Sequence, residues 1–351
     1  PFFFTRQVDV PTSQRVPVFQ TSDILAADPT GVVAPNIMDH AYGVEYTHTW
    51  SGGLQYELLP STMVEVSYMG SWTLGADNAT VRNIPEPGPG SVQSRRPIPQ
   101  LGPIRSIRFD GKSIYHGLTF KAEQRLRNNY SYSVSYTLSE SIDDASSPGA
   151  TEAETNVPQD VRNIFDETGE WAPSSFDHRH LFVASGTYQL PFFAGAGGLK
   201  EGVLGGWRVN AVFFAQSGAP FTVNLGVDQA NVGSGPSQRP DQLRDPHLSS
   251  DERRPERWFD TSAFALPALY SFGSARRNSV IGPGFANLDL VVAKTWTVAG
   301  TRQLELRWEV FNALNKVNFD LPSRIFGNAN FGRIFSAKGP REMQLGAKFS
   351  F

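Results

Sequence analysis

The sequence predicts an all-β chain, an antiparallel up-and-down wall of about nine long strands that belongs to a transmembrane β-barrel. Three observations carry this prediction. Apolar residues recur at every second position in nine segments, giving each segment one apolar and one polar face. All 25 prolines fall outside those segments, as a ladder that needs every N–H requires. The connections alternate short and long, which sorts tight turns to one end of a meander and long loops to the other.

The first segment runs from Val44 to Leu58, with Tyr46, His48, Trp50, Leu54 and Tyr56 alternating with Glu45, Thr47, Thr49, Gln55 and Glu57. At roughly 3.3 Å per residue it reaches about 50 Å, far beyond an ordinary strand. Thr62 to Leu74 sets Val64, Val66, Tyr68 and Trp72 against Glu65, Ser67 and Ser71. Ile114 to Arg127 sets Leu118, Phe120, Ala122 and Leu126 against Thr119, Lys121, Glu123 and Arg125. Tyr130 to Ser141 alternates Tyr130, Tyr132, Val134, Tyr136 and Leu138 with serines and a threonine. His178 to Leu190, Gly205 to Ser217 and Ala286 to Thr297 are mixed in parity. Arg302 to Ala313 sets Leu304, Leu306, Trp308 and Val310 against Glu305, Arg307 and Glu309. Arg341 to Phe351 ends the chain with Met343, Leu345, Ala347, Phe349 and Phe351 on one parity. No segment carries a 3.6-residue apolar stripe, so little helix is expected.

The short connections are Leu59 to Ser61, Asn128 to Asn129, Pro191 to Leu204 and Val298 to Thr301. The long ones are Gly75 to Ser113, Ile142 to Asp177, Gly218 to Phe285 and Leu314 to Pro340. Structureless loops of such length are uncommon in compact domains. Short periplasmic turns and long extracellular loops are the pattern of outer-membrane barrels. With the chain end periplasmic, Tyr56, Tyr130, Tyr132, Tyr188, Trp207, Trp296 and Phe351 gather at the periplasmic rim as an aromatic girdle, and Tyr46 and Trp72 lie toward the outer rim. The polar parity, including Glu45, Gln55, Glu65, Glu123, Arg125, Glu305 and Arg307, faces the lumen.

Composition narrows the function. A net charge of −3 gives no electrostatic case for nucleic acid. The absence of cysteine excludes a disulfide framework, thiolate metal sites and a cysteine nucleophile. No apolar run is long enough for a transmembrane helix. The start at Pro1 lacks a Met, a basic n-region and a cleavage site, and is expected to be a cut inside a longer protein.

The last segment resembles the C-terminal signal of bacterial outer-membrane proteins, a terminal aromatic preceded by alternate apolar residues, here Met343, Leu345, Ala347, Phe349 and Phe351. The resemblance implies recognition by the barrel-assembly machinery. From about Tyr42 onward the chain also resembles the barrel portion of the TonB-dependent transporters of the Oar-like group, which carry a carboxypeptidase-regulatory-like domain. The resemblance rests on an ordered series of phrases. These are Ser135-Tyr136-Thr137 with Ser141-Ile142-Asp143-Asp144, Phe176-Asp177-His178-Arg179-His180, Leu204-Gly205-Gly206-Trp207 and Gln216-Ser217-Gly218-Ala219-Pro220-Phe221. Arg257-Trp258-Phe259, Arg277-Asn278, Gly282-Pro283-Gly284-Phe285 with Asn287, Phe311-Asn312 with Leu314-Asn315, and Phe331-Gly332-Arg333-Ile334 complete it. Glu140 stands where the group carries a basic residue.

The resemblance implies the last nine or so strands of a 22-stranded barrel, with plug, TonB-contacting segment and front strands before Pro1. Residues 1–42 are then an extracellular loop region after an upstream strand, and residues 43–351 the C-terminal barrel portion. Its partners are outer-membrane lipid, the TonB system and an unknown extracellular ligand, with no cofactor and no enzymatic activity. A passive porin or adhesin barrel is the alternative, and a soluble all-β binding protein is a third reading.

Chemistry-bearing clusters favour architecture. Asp177, His178 and His180 are read as a strand rim before a metal site. Asp143, Asp144, Asp160, Asp166, Glu167 and Glu170 form an acidic region whose spacing fits no calcium loop. Gly195-Ala196-Gly197-Gly198 lacks the Lys-Ser/Thr of a phosphate loop, and no Gly-x-Ser-x-Gly elbow occurs. Lys294 breaks the apolar parity two residues before Trp296 and is expected to snorkel at the interface.

Overall fold

A computed structural model describes residues 3–4, 32, 34–38, 43–144, 146, 163–193, 195–233, 238–299 and 301–351. Nine long strands form its wall. They are β1 (Tyr46–Leu59), β2 (Thr62–Arg82), β3 (Ile104–Arg127), β4 (Tyr130–Asp143), β5 (His180–Gln189), β6 (Trp207–Gln216), β7 (Phe285–Ala299), β8 (Arg302–Phe311) and β9 (Glu342–Ser350). Each pairs antiparallel with the next. Among the described residues, β1 pairs only with β2 and β9 only with β8, so the sheet is open. Among the described residues, helix is confined to α1 (Val92–Arg95), α2 (Gly198–Leu204) and one short 3-10 turn.

The register turns the alternation into two faces. Leu54, Val66, Phe120, Tyr136, Phe182, Ala215 and Ala286 lie side by side across seven strands. One residue along, Gln55, Glu65, Lys121, Ser135, Val183, Phe214 and Asn287 form the neighbouring row on the other face. The apolar face is not buried in protein: Leu54 is 81% exposed and Leu345 84%. A whole sheet face of that kind in water forfeits roughly 25 cal/mol per Å², so it requires an apolar medium.

Turn chemistry fits the tight end. Asn128 (φ 51) and Asn129 (φ 68) close β3 onto β4. Two successive positive φ angles are what a two-residue I′ hairpin needs, and Asn tolerates them. At the long-loop end, Asn312 (φ 48) and Asn315 (φ 50) take the same conformation just after β8.

The structure corrects several expectations. Gly75 to Ser113 is not one long loop: β2 continues to Arg82 and β3 starts at Ile104. The extension was hidden because Ala76-Asp77-Asn78-Ala79-Thr80 carries little apolar alternation. Register shifts near Ala76 also interrupt the period. A Cβ at Gly111 would sit 2.8 Å from the Ala76 carbonyl oxygen, so the hairpin closes there only on glycine. Trp72, paired with His48 and Ile114, therefore lies well inside its hairpin. Smaller differences move β1 to start at Tyr46, β5 at His180 and β6 at Trp207, where the ladder begins. Most of residues 1–42 lie outside the described residues. Within them Pro35–Met38 pairs parallel with β3 and antiparallel with Phe3–Phe4.

Candidate functional site

The well-packed core lies beyond the wall, in the long loops. Phe221, Val223, Phe259, Ala263, Phe264, Ala275 and Val280 form it, all buried. Phe331 stands edge-on to Phe259 with centroids 5.2 Å apart, bringing in the loop between β8 and β9. Short pairings brace the core: Pro220 with Ile281, Asp241 with Ala265, and Asn224 parallel to Ile325. The long loop expected over Gly218 to Phe285 is therefore a compact cap. Its aromatics are too widely spaced in sequence to show a strand or helix period.

Glycine lets the cap cross the strand ends. A Cβ on Gly218 would lie 1.8 Å from the Gly282 carbonyl oxygen. One on Gly284 would lie 2.8 Å from that of Gln216. Two motifs far apart in sequence, Gln216-Ser217-Gly218 and Gly282-Pro283-Gly284, thus meet backbone to backbone.

Arginines neutralise the acidic region. Asp143 pairs with Arg277 at 2.5 Å, Glu170 with Arg239 at 2.6 Å and Glu167 with Arg108 at 2.9 Å. Arg277 also donates to the Glu170 carbonyl oxygen at 3.0 Å and to Ser146 Oγ at 2.8 Å. Asn278 Nδ2 donates to the Pro173 carbonyl oxygen at 2.7 Å. These bonds tie the β4–β5 and β6–β7 loops together. Asn231 Nδ2 ties in the β2–β3 loop through the Gly88 carbonyl oxygen at 2.8 Å. Glu140 pairs with Arg179 at 2.8 Å, so a cation stands beside it on the neighbouring strand end. Asp160 lies outside the described residues. Among those described, no group of three or more His, Asp and Glu side chains is placed to hold a metal ion.

The expected histidine rim is engaged in hydrogen bonds. His180 Nδ1 bonds Tyr136 Oη at 2.7 Å, and His178 Nδ1 donates to the Ser217 carbonyl oxygen at 2.7 Å. The Asp177 carboxylate accepts from the Ser141 N–H at 2.8 Å. Burial pushes the Asp177 and Asp144 carboxyls above the usual range. Asp260 goes the other way, to about 2, chiefly through the Ser262 hydroxyl and then Arg244.

Under the cap, a cavity of about 690 Å³ opens on the polar face of the wall. His178, Gln216, Phe285, Phe319, Arg324 and Lys338 are among its lining. That volume suits a small-molecule ligand. Gln216 and Phe285 are register partners at the strand ends, so the cavity sits where wall becomes cap.

An outer membrane beta barrel domain family model matches residues 1–344. The chain belongs to that outer membrane beta barrel domain family. No curated protein matches it significantly. Among solved structures, the outer membrane transporter YddB from Escherichia coli is similar at 9% identity and TM-score 0.50, covering 91% of this chain and 34% of that one. The FrpB iron transporter from Neisseria meningitidis is similar at 13% identity and TM-score 0.42, covering 90% and 32%. The ferric-catecholate import receptor Fiu from E. coli is similar at 11% identity and TM-score 0.40, covering 86% and 27%. The chain thus spans about a third of the length of these structures.

As an outer membrane beta barrel, the chain resides in the bacterial outer membrane, and its apolar face meets lipid. On that face Tyr130 is in register with Tyr188, and the Tyr130 and Tyr132 rings stack 6.5 Å apart. Tyr56 lies exposed near the β1–β2 turn, and Trp207 and Trp296 flank Lys294. Met343, Leu345, Ala347, Phe349 and Phe351 are exposed along the edge strand. On the opposite face Gln55 Nε2 donates to Glu65 at 2.8 Å, and Lys121 pairs with Glu123 at 2.7 Å. Glu305 faces Arg208 at 3.6 Å, and Arg307 pairs with Glu309 at 3.0 Å. Arg125 donates its N–H to the Ser61 carbonyl oxygen at 3.0 Å, and Glu45 lies exposed just before β1. Nothing local in the sequence marks the buried arginines Arg239 and Arg277 as site residues; Arg277 shows only as part of the Arg277-Asn278 phrase.

Proposed function

We propose that this outer membrane beta barrel supplies the wall and ligand-capturing loops of a TonB-dependent transporter of the Oar-like group. The observation that carries the reading is the cross-braced cap standing over a cavity at the lumen mouth. A passive pore has no need to fasten three long loops to one another through buried arginines and Asn231, whereas capture needs preorganised walls. Similarity in fold to an outer membrane transporter supports the reading. In it, the ligand enters beneath the cap, polar side chains such as Glu65, Glu123, Glu305 and Arg307 line the lumen, and an energy-coupled plug opens the path. The terminal Met343-to-Phe351 alternation serves barrel assembly, and the aromatic girdle fixes the depth in lipid.

The test uses the full-length protein in planar bilayers, together with the purified periplasmic domain of TonB. A transporter holds its lumen closed to potassium chloride and binds that domain. A large open conductance without TonB binding would overturn the reading in favour of a passive pore.

A further inference from the structure

Lys294 occupies an apolar-face position on β7, in register with Trp207 of β6 and Leu306 of β8. A bare ammonium there would be costly in lipid. It is only 3% exposed, because α2 covers it. Its Nζ donates to the Glu201 carbonyl oxygen at 3.2 Å and to that of Gly205. The same Nζ lies 5.9 Å and 5.2 Å from the Trp207 and Trp296 ring centroids. Trp207 Nε1 donates to the Val203 carbonyl oxygen at 3.0 Å, and Trp296 Nε1 to that of Gly202 at 2.5 Å. Three wall side chains therefore hold the last turn of α2 and its C-cap by their carbonyls, the pole that favours a cation.

This fastening places α2 on the outside of the wall, beside the lipid-facing strands. Its free side is apolar: Leu199 is 84% exposed, Val203 52% and Leu204 49%. Phe192 and Phe193, just before it, are also exposed, at 57% and 49%. Leu199 and Val203 stand four residues apart and share one helix face. A turn bathed in water has no physical reason to present five large apolar side chains together. The patch is continuous with the apolar belt of β6 and β7, which already meets lipid.

We propose that the β5–β6 connection is an interfacial foot. Phe192, Phe193 and the Leu199–Val203 face lie in the headgroup–acyl boundary of the leaflet at the short-turn end, and Lys294 is the latch that holds α2 against the wall. The partner is the lipid leaflet itself, bound by apolar insertion as in other interfacial helices.

These 351 residues contain no cysteine, so labels introduced in them are unique once any cysteine elsewhere in the full-length protein is replaced by serine. Single nitroxide labels at Leu199→Cys and Val203→Cys are read in the full-length protein, folded into phosphatidylethanolamine–phosphatidylglycerol vesicles. Leu306→Cys on the wall and Glu252→Cys in the exposed cap serve as lipid and water references. The foot predicts oxygen collision close to the Leu306 label and nickel-chelate collision several-fold below the Glu252 label. Nickel collision equal to that at Glu252 would overturn it. Shielding from both reagents would overturn it too, and would point to a covering protein surface. Adding Lys294→Met should raise the mobility of the label at position 199 while heat-resistant migration of the barrel persists. An unchanged line shape would remove the latch. Where that variant fails to fold, the collision measurement on the parent decides.

Discussion

Arg277 and Asp143 form a salt bridge at 2.5 Å in which both side chains are 2% exposed. The pair joins the top of β4 to the last stretch of the β6–β7 loop. It is thus the point where the cap is fastened to the wall. Breaking such a buried pair by removing one partner leaves an uncompensated charge and costs about 3–5 kcal/mol. Asp143→Asn should therefore loosen the cap while β1–β9 stay paired. Limited proteolysis of the folded protein should show faster cleavage within residues 218–285. Replacing both partners with apolar residues of similar volume should restore much of the protection, because it removes the stranded charge.

Gly218 is a steric requirement of the same junction. With the Gly282 carbonyl oxygen 1.8 Å from where a Cβ would stand, Gly218→Ala forces backbone to move, since no side chain can give way. The loss should reach the upper part of the overpacking range, about 3 kcal/mol or more. The expected sign is a lower thermal midpoint for the cap, whereas Gly202→Ala, with open space around it, should leave that midpoint unchanged.

The Asp260 carboxyl caps the 3-10 turn Thr261–Ala263, accepting from the Ser262 N–H at 3.2 Å. The Ser262 hydroxyl and Arg244 lower its pKa to about 2, below the 3.8 of a free aspartate. A lowered folded value means the contribution is fully present above about pH 4 and is lost as pH falls through about 2. Hydrogen exchange at Ser262 should stay slow from neutral pH down to about pH 4 and accelerate below it, beyond the intrinsic rate. Asp260→Asn should abolish that acid step. An acceleration on raising the pH instead would contradict the assigned direction.

The wall was legible because a strand with one apolar face writes itself as period two. Tyr130 to Leu138 alternates without exception, and Asn128-Asn129 marks its turn. The β2–β3 extension is not, since Asn78 and Thr80 are polar yet buried and so interrupt the apolar period. The cap was legible only as recurring phrases. Phe221 and Phe259 of the β6–β7 loop converge with Phe331 of the β8–β9 loop, and nothing local links them. Lys294 is expected from its parity to snorkel at the interface; its ammonium instead ends on the carbonyls of α2 and Gly205, a partner that the short, loop-like β5–β6 sequence does not announce.

Parity can be tested at two adjacent residues. Tyr136 lies in the apolar row between Phe120 and Phe182, and Ser135 in the polar row between Lys121 and Val183. An arginine on the lipid face near the midplane costs about 2–4 kcal/mol, while lumen positions tolerate charge. Tyr136→Arg also loses the hydroxyl bond to His180 Nδ1, so Tyr136→Phe is needed to isolate that part. The expected order of destabilisation, read by folding of the full-length barrel into lipid vesicles under urea, is Tyr136→Arg well above Tyr136→Phe, with Ser135→Arg near the parent. Equal losses at positions 135 and 136 would mean that the two faces do not see different media, and the lumen assignment of Gln55, Glu65 and Glu123 would fall with them, because the register puts all three on the same face as Ser135.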